Sequence, residues 1–218
     1  MLNELDKELT QRGHPFVRYA DDSMIFCKSK KAAIQTKESI TRFIEGKLHL
    51  RVNKEKTVVS HVKGVKYLGY SFYISKDKCE LCVHPKAKAK MKTRLKELTG
   101  RSNGIWYERR KRKLKEYVRG WIGYYHLANM KRLLVKTDEW LRRRIRMCIW
   151  KSWKKPKARI ANLIKCGILK GKAYEWGNTR LGYWRIADSW IMHRAITNDR
   201  LRLVGYPTLW DEYLGWRP

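Results

Sequence analysis

The spacing of apolar residues changes near Pro85, and this change limits the chain to two kinds of structure. Before Pro85, short runs of β-branched and aromatic residues are separated by turn-forming residues, a pattern typical of strands. Beyond Pro85, apolar residues recur every three or four positions, which indicates helices. We therefore expect an α+β fold, with a sheet-containing piece over residues 1–84 and a mostly α-helical piece over residues 85–218.

The first piece should combine helices with mostly antiparallel strands. Two strands, Phe16–Tyr19 and residues 23–27, flank a tight connection at Ala20-Asp21-Asp22. The other expected elements are helices over residues 1–12 and 30–47, strands over residues 57–62, 65–74 and 80–83, and turns or bulges at Gly64, Gly69 and Lys76-Asp77.

The clearest helix of the second piece has apolar and basic residues on opposite faces. Its apolar stripe consists of Leu114, Tyr117, Val118, Trp121, Ile122 and Tyr125, opposite Arg109, Arg112, Lys113, Lys115 and Arg119. The aromatic members of this stripe fit a core between helices better than a platform for stacking bases. Further helical patterns cover residues 134–149 and 158–165, and the remainder, rich in Gly, Trp and Tyr, gives no assignment.

The charge of the chain is strongly one-sided, with 51 Lys and Arg against 20 Asp and Glu and a formal net charge of +31. Ten tryptophans and twelve tyrosines argue against a disordered basic tail, which would be poor in aromatic residues. Nucleic acid is therefore the expected partner, and an anionic membrane surface is the second choice. No apolar run is long enough for a membrane span. Five cysteines without a secretory signal indicate free thiols and a cytoplasmic location.

Asp21 and Asp22 are two adjacent carboxylates at a turn between two apolar strands. Adjacent like charges repel unless a cation lies beside them, and Mg²⁺ prefers a few carboxylate oxygens together with phosphates and water. A pair of such ions can activate a hydroxyl group and stabilise a leaving pyrophosphate. The alternative is an ordinary β-turn, in which aspartate is favoured for its backbone geometry alone.

The stretch Phe16-Val17-Arg18-Tyr19-Ala20-Asp21-Asp22, followed by an apolar strand, resembles the metal-binding hairpin of reverse transcriptases encoded by group II introns. Three further stretches resemble the same family in order and spacing: residues 48–57 its next palm motif, residues 65–72 its primer-grip hairpin, and residues 119–125 the start of its maturase-specific thumb. The resemblance implies the end of a polymerase palm over residues 1–84, and a helical thumb and maturase-specific domain over residues 85–218.

The resemblance also implies roles for individual residues. Asp21 would ligate the catalytic Mg²⁺ ions and Asp22 would assist, with Tyr19 and Ala20 near the nascent base pair. Lys56 would lie near the phosphates of the incoming nucleotide, where its ammonium could protonate the leaving group. The primer backbone would be held by Tyr67, Leu68, Gly69 and Tyr70. By itself the sequence also allows a solvated strand-edge lysine at position 56 and a bulge glycine at position 69.

The sequence departs from the family pattern in one respect. The family's palm has another metal-binding aspartate on an earlier strand, preceded by fingers and template-binding motifs, and these would lie upstream of the hairpin. We therefore expect a chain truncated at an internal methionine, with an incomplete two-metal site. Such a chain should not polymerise alone, and an upstream palm and fingers chain would be a further partner.

The basic helical region is the expected RNA-binding surface. Arginine and lysine on a helix neutralise phosphates, and interleaved tryptophans can stack on unpaired bases. The candidate RNA-binding residues are Lys88, Lys92, Arg94, Arg109, Arg112, Lys113, Arg119, Arg142, Arg143, Arg146, Lys154 and Lys155. The resemblance implies that this region binds intron RNA and an RNA template with its DNA primer.

Two functions fit these observations. The first is an RNA-directed DNA polymerase and maturase of a group II intron, which transfers nucleotides by a two-metal mechanism when its palm is complete. The second is a non-catalytic RNA-binding maturase module that promotes intron folding and splicing.

The Cys79–Cys82 spacing resembles half of a zinc site, but no second pair follows, so a strand with two thiols is the better interpretation.

Overall fold

A computed structural model describes residues 2–76 and 78–216 of the chain, in two compact units. The first unit ends at Glu80 and the second begins at Leu81. Asp77, expected in the turn with Lys76, lies outside the described residues, as do Met1, Arg217 and Pro218. The fold is α+β: small sheets belong to the first part of the chain and helices make up the second.

The first unit contains two helices, a short 3-10 helix and four strands among its described residues, and a fifth strand continues from it into the second unit. In chain order the elements are α1 (Leu2–Gln11), β1 (Phe16–Tyr19), β2 (Asp22–Ile25), α2 (Lys30–Gly46), the 3-10 helix Val62–Gly64, β3 (Lys66–Tyr67), β4 (Tyr70–Ser75) and β5 (Lys78–Val83). Strands β1 and β2 form one antiparallel sheet, and β3, β4 and β5 form a second sheet in that order.

The core of the first unit supports the β1–β2 hairpin from one side. Leu5 and Leu9 of α1 and Ile40 of α2 are almost fully buried. Phe16 of β1 and Ile25 of β2 pack against this cluster. Alternate residues of β1 therefore face the core, as the period of two in a strand requires, and the tip of the hairpin is exposed.

One strand prediction in this unit is wrong, and the turn or bulge predicted at Gly69 divides another predicted strand into two. Residues 57–62 form no strand: Val58 is 72 % exposed, and the chain enters the 3-10 helix at Val62. The predicted strand over residues 65–74 is two strands, joined by a two-residue turn at Leu68 and Gly69. Both turn residues have positive φ, 49° and 82°, which matches the twist of a tight hairpin and explains the glycine.

Helices make up the second unit beyond the end of β5. They are α3 (Pro85–Leu98), α4 (Tyr107–Tyr125), α5 (Lys131–Ser152), α6 (Pro156–Lys165), α7 (Lys170–Gly177), α8 (Tyr183–Ile186), α9 (Trp190–Ala195), α10 (Asn198–Leu203) and α11 (Leu209–Leu214). Pro85 occupies the first turn of α3, where its missing N–H costs no hydrogen bond, and the His84 side chain accepts a bond from the Lys86 amide. The change in pattern at Pro85 thus marks the start of the first helix.

Helices α4 and α5 form the centre of the second unit. Leu114, Val118 and Ile122 of α4 are at most 1 % exposed, as their helical spacing predicts. Leu141 and Ile145 of α5 are buried to the same degree. Because α11 packs against both helices, the last described helix covers the core that α4 and α5 form.

Candidate functional site

The tip of the β1–β2 hairpin presents two carboxylates to solvent. Tyr19 pairs with Asp22 across the hairpin, so Ala20 and Asp21 form the two-residue connection. Ala20 has a φ of 53°, a left-handed conformation that tight turns require. Asp21 and Asp22 are both exposed, as is Tyr19. Adjacent positions in the chain therefore place two negative charges at an exposed tip.

Arg18 joins this tip to α1. Its Nε donates a hydrogen bond of 2.7 Å to one carboxylate oxygen of Asp6, and its Nη2 donates to the other oxygen. Its Nη1 donates to the carbonyl oxygen of Ala20 at 2.8 Å. The two-pronged pairing fixes the orientation of the guanidinium, which then holds the backbone of the turn. Sequence analysis missed this pair, for which opposite charge twelve residues apart is the only signal.

The Arg18 interaction predicts a low-pH titration. The hydrogen bond from Arg18 holds the pKa of Asp6 below its ordinary 3.8, and the charge attraction adds to the effect against desolvation. The ionised carboxylate therefore stabilises the fold above about pH 3.8, and this contribution is lost as the pH falls through the lowered pKa. We expect the Asp6 carboxyl ¹³C resonance to titrate below 3.8 in the parent chain and at a higher pH in an Arg18→Met variant, which keeps the desolvation of Asp6 but loses the cation. An Arg12→Met control, which removes a cation that pairs with Glu8 instead, should leave the Asp6 midpoint unchanged, and a parent midpoint above 3.8 would contradict the prediction.

The tip of the second hairpin lies beside the first. The Tyr67 hydroxyl donates to the backbone carbonyl of Asp22 over 3.4 Å, a long bond. Burial raises the pKa of Tyr67, and the nearby Asp22 charge adds to this rise. Leu68, Gly69 and Tyr70 follow directly and are half-buried. The structure thus brings one predicted primer-contacting residue, Tyr67, to a predicted metal-binding residue, Asp22.

Lys56 occupies an exposed turn rather than a strand edge. Its backbone amide donates to the side-chain oxygen of Asn53 at 3.1 Å, and the Thr57 amide donates to the Asn53 carbonyl at 3.0 Å. Asn53 thus organises a local turn, a common use of asparagine. Among the described residues, no hydrogen bond or ion pair joins the Lys56 side chain to Asp21 or Asp22.

The hairpin carboxylates do not by themselves make a complete metal site. Within residues 2–76 and 78–216, no group of three or more His, Cys, Asp or Glu side chains is arranged to hold a metal ion. Asp6, the acidic residue bound to the same hairpin, has both carboxylate oxygens bonded to Arg18. Two Mg²⁺ ions need more shared ligands than Asp21 and Asp22 supply. The described residues therefore fit part of a two-metal site only.

The basic face of α4 is accessible. Arg109, Arg112 and Arg119 are exposed, and Lys113 is half-buried. Glu116 approaches Arg112 at 3.8 Å, whereas the other three cations form no ion pair with any described residue. Their charge is therefore largely uncompensated, which suits a surface that binds a polyanion. The apolar stripe of this helix faces the core, with Trp121 and Tyr125 half-buried at its margin.

Two predicted RNA-binding residues, Arg142 and Arg146, are buried instead, at 5 % and 3 % exposure. Arg142 donates to the Thr208 hydroxyl, and Arg146 donates to the Ile196 carbonyl and the Asn198 side chain, both at 2.9 Å. Because other helices cover α5 on several sides, these guanidiniums satisfy backbone and side-chain oxygens inside the unit. In this arrangement the two guanidiniums are not exposed to a ligand on the surface of the unit.

The other predicted RNA-binding residues differ in their exposure and in whether an acidic residue already pairs with them. Arg143 donates to the Trp184 carbonyl and pairs with Asp188 at 2.9 Å, so its charge is already partnered. Arg94 pairs with Glu97 at 2.9 Å on the surface of α3. Lys92, Lys154 and Lys155 are exposed, and Lys88 is half-buried. Accessible cations therefore come from α3, from α4 and from the connection between α5 and α6.

None of the helices in the described part of the chain has the length and apolar composition needed to cross a lipid bilayer.

Two protein-family models match the sequence. Residues 1–72 match the reverse transcriptase (RNA-dependent DNA polymerase) family, and residues 88–167 match the maturase-specific domain of group II introns. The first match contains both hairpin tips, and the second contains the basic helices α4 and α5. No curated protein matches the chain.

Proposed function

This chain belongs to the group II intron reverse transcriptases and maturases, and from that membership we propose that its helical unit binds structured intron RNA through the basic face of α4. The observation that carries this proposal is the uncompensated charge of Arg109, Lys113 and Arg119 on an exposed helix face. A net charge of +31 supports it, since a folded protein retains such an excess when a polyanion offsets it.

We assign residues 1–84 to the end of the polymerase palm, and residues 85–218 to the thumb and maturase-specific domain. The two family matches, over residues 1–72 and 88–167, support this assignment. The division of the chain into compact units between Glu80 and Leu81 lies between the same two matches.

The hairpins of the first unit would face the template, the primer and the nucleotide. Asp21 and Asp22 would contribute carboxylates to the divalent-metal site that reverse transcriptases use, with Tyr19 and Ala20 next to the nascent base pair. The contact between Tyr67 and Asp22 supports placing the primer grip, Tyr67 to Tyr70, beside these carboxylates. Lys56 stays a candidate for contact with nucleotide phosphates, since its turn leaves the side chain in solvent.

A second function is favoured by the partial donor set at the hairpin. Since the described residues supply only Asp21 and Asp22, this chain can act in RNA folding and splicing without nucleotide transfer. Both functions need the same RNA-binding surface. They differ in whether the divalent-metal site is completed by carboxylates other than Asp21 and Asp22.

Salt dependence tests the shared RNA-binding function. Each neutralised phosphate releases condensed counterions, so the affinity of the chain for a structured intron RNA should fall steeply as salt rises. For about six phosphate contacts, we expect a loss of roughly 1,000-fold between ~50 and ~200 mM salt. Fluorescence anisotropy of labelled RNA measures this directly, and an affinity that stays flat would contradict the proposal.

A charge-matched pair of variants locates the surface. Replacing Arg109, Arg112 and Arg119 by glutamine should reduce the slope of log affinity against log salt by about one unit for each phosphate that the variant no longer neutralises. The control replaces Lys28, Lys30 and Lys31, three exposed lysines of the first unit, and removes the same charge. Equal effects of the two triple variants would show that the net charge of the chain, and not the α4 face, determines binding.

A further inference from the structure

Helices α3, α5 and α8 line an open cleft of about 430 Å³ in the second unit. Lys92 and Lys96 come from successive turns of α3, Trp140 and Arg144 from successive turns of α5, and Trp184 from α8. The volume lies within the ~300–1,000 Å³ typical of small-molecule sites. The cleft therefore has room for a single nucleotide between three cations and two indoles.

The positive charge of the cleft is not offset by neighbouring carboxylates. Among the residues that the structure describes, neither Lys92 nor Lys96 takes part in an ion pair. Glu97, which follows Lys96, is paired with Arg94 at 2.9 Å. Asp188, which follows α8, is paired with Arg143 at 2.9 Å. A bound anion would therefore meet three cations without displacing an existing partner.

Arg144 is held in place before any ligand binds. Its Nε donates to the Thr99 hydroxyl at 2.6 Å, and its Nη2 donates to the carbonyl oxygens of Lys96 and Thr99, both at 3.0 Å. Its Nη1 donates to no residue in the described part of the chain, which leaves that nitrogen for a ligand. Burial lowers the pKa of Arg144, and no carboxylate opposes this effect. A fixed, desolvated guanidinium binds an anion at little cost in side-chain entropy.

The two tryptophans have different surroundings. Over the ring of Trp140 lie the Lys92 ammonium, 5.4 Å from its centroid, and the Arg144 guanidinium, at 5.2 Å, so this indole positions the cations. Arg143 stacks on the Trp184 ring at 4.0 Å, which restrains the indole, and it also donates to the backbone carbonyl of Trp184. Trp184 nevertheless remains 39 % exposed. It therefore offers an immobilised aromatic surface to a ligand.

We propose that this cleft binds one unpaired nucleotide of the RNA, with a phosphate between Lys92, Lys96 and Arg144 and the base stacked on Trp184. The proposal rests on the RNA-binding function proposed above and adds a specific preference to it. Duplex RNA keeps its bases stacked inside the helix, whereas a bulged base can be splayed out onto an aromatic side chain. The cleft thus makes the chain sensitive to irregular RNA structure, beyond the general attraction of its basic surface.

The test compares two RNA hairpins that differ only by one bulged adenosine in the stem, with the full 218-residue chain. We expect the parent chain to bind the bulged hairpin about tenfold more tightly than the fully paired one, the effect of stacking one base. Trp184→Ala should abolish most of this preference. The double variant Lys92→Gln/Lys96→Gln should do the same, and because both side chains are exposed it carries little risk to folding.

The matched control is Lys86→Gln/Lys90→Gln, which removes the same charge from exposed positions of α3 outside the cleft. It should weaken binding to both hairpins equally and keep the tenfold preference. If the parent chain binds both hairpins equally, or if the variants keep the preference for the bulged one, the assignment of the cleft is overturned while the proposed RNA-binding function stands. Parent chain that fails to bind either hairpin would overturn the proposed RNA-binding function. Quenching of tryptophan fluorescence by micromolar free AMP would indicate a mononucleotide site and also overturn the assignment to RNA.

Discussion

Replacing Asp138 by alanine is expected to lower the free energy of unfolding of the helical unit by about 2–4 kcal/mol, because each buried backbone donor left without its acceptor costs about 1–3 kcal/mol. Asp138 lies on α5 and is 8 % exposed. Its two carboxylate oxygens accept hydrogen bonds from the backbone amides of Leu209, at 2.9 Å, and Trp210, at 3.0 Å. Burial raises the pKa of Asp138, and these two bonds oppose the rise.

The destabilisation of the Asp138→Ala variant has two sources. The first-turn amides of α11 would lose their acceptor, and such buried donors cost free energy when they are left unpaired. Arg142, one turn further along α5, would lose the nearby negative charge that offsets its burial. Its Nη1 already has no hydrogen-bond partner among the described residues, so few interactions remain to offset the burial of the guanidinium.

Denaturant unfolding followed by tryptophan fluorescence measures this destabilisation for the helical unit alone. All ten tryptophans lie between Trp106 and Trp216, so the signal does not report the first unit. The control is Asp188→Ala, which removes a carboxylate that is 51 % exposed and paired with Arg143. An exposed pair contributes less than about 1 kcal/mol. Similar midpoints for the two variants would rule out the structural role of Asp138.

The second large effect concerns catalysis. The chain by itself is expected to extend a DNA primer on an RNA template no faster than the protein-free reaction, because the described residues provide only two of the carboxylates that a two-metal site needs. The same preparation should bind the primed template, which separates a missing metal site from a misfolded protein. An active reverse transcriptase on the same template serves as the positive control.

One result would contradict this expectation. Mg²⁺-dependent extension by the chain, abolished by Asp21→Asn, would show that these 218 residues complete the site themselves. Ser23→Ala, a neutral change next to the carboxylates on the exposed part of β2, provides the matched control and should leave any such extension intact.

Local patterns were sufficient to predict the hairpin and the long helices. Phe16–Tyr19 has the bounds expected from its alternation, and α2, α4 and α5 follow their apolar spacing. Residues 57–62 show where such patterns fail. Their β-branched side chains favour extended backbone, but a strand also needs a partner, and pairing is decided by distant parts of the chain. Here the hydrogen bonds of Asn53 close a turn that ends at Thr57, and the chain then reaches the 3-10 helix at Val62 without pairing as a strand.

The short helices beyond residue 166 could not be assigned from sequence. Helices α7 to α11 have four to eight residues each, too few turns for a helical period to emerge. Arg142 and Arg146 illustrate a related limit. A stripe of apolar residues shows one buried face of α5, whereas burial of the neighbouring face depends on where α9, α10 and α11 pack.

For the candidate site, sequence located the carboxylates but not what holds them. The position of Asp21 and Asp22 at a hairpin tip follows from the apolar arms on either side. The bond between Arg18 and Asp6, and the cleft that joins α3, α5 and α8, combine residues that are far apart in the chain. Charge and aromatic content predict that such contacts exist, but only the packing of helices decides which residues meet.

The covering of α4 and α5 by α11 has a consequence for protein synthesis. Tyr213 is buried and its hydroxyl donates to the carbonyl of Ala128 at 2.8 Å, so the core of the helical unit closes only after residue 213 has left the ribosome. The core of the first unit, built from residues between Leu5 and Leu48, is complete much earlier. A nascent chain that stalls before Leu209 would therefore carry a folded first unit followed by helices with an uncovered apolar surface. Such an exposed apolar surface makes an intermediate prone to aggregation.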